Sequence, residues 1–444
     1  MQYLLIEGKI WKQILKFFFP ILIGTFFQQL YNTVDTIIVG QYVGTTALAA
    51  VGSTGNLISL LVNFFVGLSS GTTVLIAQFY AANKEHQVFK TVHTSFALAL
   101  FCGIFMTFFG LFFSKQCLDV MGVPLDILDA STLYLRLYFL GIIPLVIYNI
   151  GTSILRAIGD SRTPLIYLII CTFINIVLDY VFIVYFYMGI AGAGIATSIA
   201  QLISALLVCH KLMHTTKCYR LSIKKISFDI DILKNILKIG IPAGLQSIMY
   251  SVSNIILQIK INSFGTSMIA AWTVYCKIDA LFFMVAEAFS SALMTFVGQN
   301  YGVKHFSRVR QGMKTCIGML SISAILLSVL LMSFGQHISL LFSSDEMVIN
   351  ETIQIIHLIV PYYITYSAAE IISATMRGCG DSIKPMILVC CGICLLRILW
   401  VIVMPLIYDS FNIVIICYPI SWTVTSLFFI VYYQIFKKCF LKSV

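Results

Sequence analysis

Five acidic residues, Asp35, Asp179, Asp279, Glu287 and Glu370, stand inside long apolar stretches of this 444-residue chain. An aspartate at the centre of a membrane span costs roughly 2.5–3.5 kcal/mol on insertion scales, so such groups usually face a cavity or a partner. The chemistry they offer is cation or substrate binding. The alternative is a buried, protonated or ion-paired acid that fixes packing. Spacing favours chemistry for one pair. Asn175 and Asp179 are four residues apart, on one face of a helix, and Tyr31 and Asp35 repeat that spacing. Two carboxylates, an amide oxygen and the hydroxyl of Thr197 would form an all-oxygen set suited to sodium. Crowded carboxylates also tolerate shared negative charge poorly, so a proton can substitute for the metal cation.

The elements that must carry these groups follow from composition. Hydrophobic types make up 59% of the chain and charged types 10%, with a mean hydropathy of +0.96. Soluble domains carry about 25% charged residues. A water-soluble enzyme, a nucleic-acid-binding protein and a disordered chain are therefore excluded, and a polytopic helical membrane protein in a lipid bilayer is expected. Twelve apolar stretches are long enough to span, near 15–39, 53–78, 93–113, 132–154, 164–187, 190–210, 236–259, 268–297, 314–335, 352–375, 386–407 and 412–436. The predicted fold is all-α, with twelve transmembrane helices in two lobes of six. The predicted division is an N-lobe over 1–210, a linker over 211–235 and a C-lobe over 236–444.

The net charge of +10 is explained by where the charge lies. Most Lys and Arg residues fall before the first span, in alternate loops (Lys84 and Lys90; Arg156 and Arg162; Lys217 to Lys234; Lys304 to Arg310; Arg377 and Lys384) and in the tail (Lys437, Lys438, Lys442). The positive-inside rule then places both termini in the cytoplasm, in a multi-pass protein of the inner membrane. No nucleic-acid partner is needed. On this orientation Asp179 and Thr197 each lie about eight residues from the outer ends of their spans, some 12 Å deep at 1.5 Å per residue. Asp35 lies near the outer end of the first span. The three can converge in the outer half of the N-lobe.

The halves repeat. Lys12–Pro20 matches Lys234–Pro242, and Leu155-Arg-Ala-Ile-Gly-Asp-Ser-Arg-Thr-Pro164 matches Met376-Arg-Gly-Cys-Gly-Asp-Ser-Ile-Lys-Pro385, at an offset of 221 or 222. Six spans per half is an even number, so both halves enter the membrane in the same sense, related by a pseudo-twofold axis along the membrane normal. Two lobes that rock about a cleft describe a secondary transporter. No P-loop, TVGYG filter or HExxH site supports a pump, such a channel or a protease.

Paired R-x-x-G-D-S-x-x-P segments at 156–164 and 377–385, the segment from Pro20 to Asp35, Val34-Asp-Thr-Ile-Ile-Val-Gly40 and Asn175-Ile-Val-Leu-Asp179 together resemble the multidrug and toxic compound extrusion (MATE) family of the MOP flippase superfamily. The resemblance implies a two-lobe antiporter, not an enzyme, exporting organic cations and amphipathic drugs in exchange for sodium or protons. It implies an N-lobe cation site at Asp35, Asn175, Asp179 and Thr197, with Tyr31 in a supporting network. Tyr134 and Tyr138 are both candidates for a second network tyrosine. No cofactor and no metal beyond the coupling ion is expected, and a monomer is expected.

Pro20 lacks a backbone donor and can kink the first span, as a switch driven by neutralisation of Asp35 or Asp179 or as a static kink. The C-lobe is not a copy. At the repeat offset, Asp35 and Asp179 fall on apolar positions near Ile256 and on Trp400. Glu287 and Glu370 are expected either to attract cationic cargo or to pair with Arg397. Tyr250, Tyr275, Phe283 and Met284 are candidate substrate-cleft liners, since aromatic faces attract organic cations and Met adapts to varied shapes. A lipid-linked precursor flippase is the competing reading. It would need a basic cleft, and only Arg136, Lys277 and Arg397 lie within spans.

Overall fold

The computed structural model describes residues 5–408 and 410–442. The side chains of Asn56 and of residues 436–442 lie outside that description, and with them the expected basic tail. The described residues hold no strand. Apolar sequence and satisfied backbone hydrogen bonds together leave helices as the structure that can cross a bilayer here. In chain order they are α1 (Ile10–Tyr42), α2 (Thr45–Ala81), α3 (Glu85–Val120), α4 (Leu125–Leu140), α5 (Ile142–Ala157), α6 (Arg162–Tyr180), α7 (Gly189–Met213), α8 (Ile230–Asn262), α9 (Thr266–Gly302), α10 (Phe306–Leu340), α11 (Glu346–Ile359), α12 (Tyr363–Gly378), α13 (Ile383–Val389), α14 (Leu396–Ile407), α15 (Phe411–Ile415) and α16 (Cys417–Lys442).

Each of the twelve expected stretches falls on a helix or on a helix with a break in it. Ten spans among the described residues are long and apolar enough to cross a membrane, and α4 with α5, bent by 45°, makes an eleventh. The 33-residue α8 is as long but falls short of that apolarity. The breaks have local causes. Between α4 and α5, a Cβ on Gly141 would meet the Gln201 side chain at 2.6 Å, so the chain turns where α7 approaches closely. α6 passes into a π-helical turn over Val181–Tyr185, and α13 joins α14 through another over Cys390–Leu395.

The chain forms two compact units, Phe19–Gly244 and Leu5–Phe18 with Leu245–Val444. In the first, α3 packs on α4 and α5, α7 on α4, α5 and α6, and α2 on α3, α4 and α5. Small residues allow this. A Cβ on Gly194 of α7 would meet Leu137 at 2.8 Å, and Ser198 donates to the Leu137 carbonyl at 2.8 Å. In the second, α12 packs on α9, α10 and α16 around an aromatic cluster that includes Phe282 stacked on Tyr363 with ring centroids 4.1 Å apart.

Candidate cation-binding site

Four helices of the first unit bring the predicted oxygens together. α1 carries Tyr31 and Asp35, α6 carries Asn175 and Asp179, α7 carries Thr197, and α4 carries Tyr134 and Tyr138. Asp35, Asn175, Asp179 and Thr197 are all buried, and so are Tyr134 and Tyr138. The Tyr31 hydroxyl donates to Thr197 Oγ1 at 3.2 Å, tying α1 to α7. Asp35 and Asp179 are within electrostatic reach of each other, and both are within reach of Tyr31. Of the two tyrosines left open by sequence, Tyr134 lies within electrostatic reach of both carboxylates, whereas Tyr138 interacts with Gln201.

These polar groups are not satisfied by the protein. Asp35 Oδ1, both Asp179 carboxylate oxygens and both Asn175 side-chain polar atoms are buried with no hydrogen-bond partner among the described residues. An unmet buried acceptor costs about 1–3 kcal/mol, and more for a charged one. The donor set is hard oxygen, with two carboxylates, an amide and a hydroxyl, and it fits a sodium ion or a proton. A partly open cavity adjoins it, sharing Tyr31 and Thr197.

The second unit differs from expectation at several residues. Arg397 pairs with neither expected glutamate. Its Nε donates to Ser421 at 2.9 Å, Nη1 lies 3.5 Å from Asn254 Oδ1, and its guanidinium stands 4.0 Å from the Tyr418 ring centroid. This desolvated guanidinium is accommodated by an aromatic face and neutral oxygens. Glu370 instead lies 3.5 Å from Arg377 and accepts from Tyr366 at 2.8 Å. Tyr250 sits beside Tyr366 and Glu370. Phe283 meets Tyr366 and Trp422, Met284 is half-buried, and Glu287 is exposed on α9. Tyr275 is fully buried, so it does not line an open cleft; its hydroxyl donates to Asp279 Oδ1 at 3.1 Å. Tyr363 donates to the same oxygen at 2.7 Å. Asp279, one of the five acids inside apolar stretches, is thus met by two tyrosine hydroxyls. The i,i+4 spacing of Tyr275 and Asp279 was visible in the sequence, but Tyr363 arrives from α12, 84 residues away.

The MatE family profile matches residues 20–181 and again 242–403, one match in each half. The chain belongs to the MatE family. Both matches begin on a repeated proline, Pro20 or Pro242, which restates the internal repeat. The chain is 29% identical to probable multidrug resistance protein YoeA of Bacillus subtilis, over 86% of this chain and 84% of that protein. It is 26% identical to probable multidrug resistance protein YpnP of the same organism, over 86% and 85%. A crystal structure of MATE in the bent conformation superposes with a TM-score of 0.92 at 22% identity, covering 99% of this chain and 98% of that one. At that identity the likeness shows the fold. MatE membership makes the protein a multi-pass membrane transporter and not an enzyme.

The shared MatE motif is a structural turn in both halves. Gly159 and Gly380 adopt φ of +99° and +97°, where a side chain would be strained. Asp160 then accepts from the Thr163 backbone N–H at 3.0 Å, and Asp381 accepts from that of Lys384 at 3.3 Å, each capping the helix that follows.

Proposed function

We propose that this MatE-family protein is a secondary multidrug efflux transporter, exporting organic cations and amphipathic drugs by alternating access in antiport with sodium or protons. The observation that carries the reading is the unpaired oxygen cluster at Asp35, Asn175 and Asp179. Buried acceptors with no protein donor are stabilised by an arriving cation, and occupancy by sodium or a proton exchanges the charge of the site. Curated relatives named as multidrug resistance proteins support the cargo class. The basic loop ends lie on the cytoplasmic side in this reading, with both termini there. Pro20, which cannot donate to the carbonyl four residues before it, is the point where α1 responds to the charge of Asp35.

The test is drug efflux from proteoliposomes under separately imposed sodium and pH gradients. Wild-type efflux is expected to follow one of the two gradients, and Asp35→Asn and Asp179→Asn are expected to lose it. Full efflux by both variants contradicts the coupling role. Translocation of a phospholipid-linked oligosaccharide without drug efflux would instead favour the flippase reading.

A further inference from the structure

The linker between α7 and α8 is a fixed strap rather than a free loop. The Leu221 N–H donates to the Leu212 carbonyl near the end of α7 at 2.9 Å, and the Leu221 side chain is buried. The Ser222 N–H donates to His93 Nε2 of α3 at 3.1 Å, and the Asp229 N–H donates to Thr94 Oγ1 of α3 at 3.1 Å. Lys90 of α3 pairs with Asp229, and Lys225 Nζ stands 5.3 Å from the Phe89 ring centroid. These contacts also set the depth of the strap. His93 and Thr94 open the apolar stretch over 93–113, so the strap lies level with the point where α3 enters the apolar layer of a bilayer.

Two kinds of side chain are exposed on it. Ile223, Phe228 and Ile230, the last in the first turn of α8, are 63%, 48% and 66% exposed. Lys217, Arg220 and Lys224 are exposed beside them in the chain. Over residues 211–230, five Lys and Arg residues stand against one acid, Asp229, and Lys90 already pairs with that acid. Single exposed apolar side chains are ordinary on a protein surface. Three within eight residues, on a backbone already ordered and among uncompensated cations, form a surface suited to an apolar layer topped by negative charge.

We infer that residues 217–230 form a docking strap for anionic phospholipid. Ile223, Phe228 and Ile230 sit among the upper acyl chains, and Lys217, Arg220 and Lys224 meet the phosphates and acidic headgroups. Long basic side chains lay their stems along the apolar layer and keep their charged ends with the headgroups. Each such cation adds a modest attraction that salt screens, and the apolar side chains fix where it acts. The inference does not depend on the coupling-site reading. It requires only that the chain lies in a bilayer.

Full-length protein is placed in nanodiscs of phosphatidylcholine, alone or mixed with phosphatidylglycerol. A photoreactive benzoylphenylalanine in place of Phe228 is expected to crosslink to phospholipid. Crosslinks only to another protein chain would make the strap a protein-docking face and overturn the lipid assignment. No crosslink at all, where the same residue in place of the exposed Phe105 of α3 gives one, would overturn it as well. Charge is tested apart from insertion. Wild type is expected to melt higher with phosphatidylglycerol present, because a ligand of the folded state raises Tm. Lys217→Gln/Lys224→Gln removes none of the contacts to α3 and is expected to lose about half of that gain or more. Arg310→Gln/Lys314→Gln on α10 is expected to keep the gain, and high salt is expected to remove it from wild type. No gain in wild type, an undiminished gain in Lys217→Gln/Lys224→Gln, or an equal loss in Arg310→Gln/Lys314→Gln overturns the strap as the site of recognition.

Discussion

At the scale of single residues, the account turns on oxygens that the protein leaves without donors. A hydrogen bond or ion contact to a charged group contributes about 1.5–3 kcal/mol, so losing one carboxylate is expected to weaken cation binding by about tenfold or more. Tyr31→Phe removes only the bond to Thr197 at 3.2 Å. A neutral bond contributes about 0.5–1.5 kcal/mol, so cation affinity is expected to fall by less than about tenfold. Equilibrium sodium binding checks this, and an effect as large as that of Asp179→Asn would contradict the ranking. Sequence showed these residues because an acid inside an apolar stretch needs a reason, and its i,i+4 partner shares its face. It did not show the partner of Arg397. Charge counting suggested a glutamate, whereas the guanidinium settles 4.0 Å from the Tyr418 ring centroid. Composition carries no signal for which aromatic face a buried cation will find.

At the scale of elements, helix positions were legible and their interruptions were not. Apolar runs fix where a span lies, but the 45° bend between α4 and α5 falls at Gly141, where Gln201 of another helix approaches closely. The repeated turn was legible as a motif, and its physics became clear only with φ of +99° at Gly159. Gly159→Ala is expected to cost about 1–3 kcal/mol, read as a lowered Tm. Gly194→Val on α7 is expected to lower Tm through overpacking against Leu137, by about 1–3 kcal/mol. Wild-type melting of either variant would contradict the packing described. The linker ahead of α8 offers a pH test. Lys90 Nζ lies 2.9 Å from Asp229 Oδ2, and that bond, with the Ile232 backbone N–H, holds the Asp229 carboxyl below its ordinary value of 3.8. A carboxyl lowered in the folded protein contributes stability above its unfolded value and loses it as pH falls through the lowered one. Asp229→Asn is therefore expected to melt slightly lower than wild type at pH 7, with the gap closing as pH drops below 3.8. A gap that persists in acid would contradict the ion pair.

At the scale of the whole molecule, a low share of charge and a constant internal offset made the two-half helical architecture readable. The divergence between halves was readable too, since the acid pair has no counterpart at the repeat offset. The first unit holds carboxylates without donors, whereas Asp279 in the second is met by two tyrosine hydroxyls at 3.1 and 2.7 Å. That contrast is the reason the proposed cation exchange is sought in the first unit. The most direct measurement is equilibrium binding of radioactive sodium to the purified protein across pH, with Asp35→Asn and Asp179→Asn alongside. The account predicts one cation site per chain at which sodium and protons compete, lost in Asp179→Asn and weakened or lost in Asp35→Asn. Wild-type cation binding by both variants, with the same competition, would contradict it.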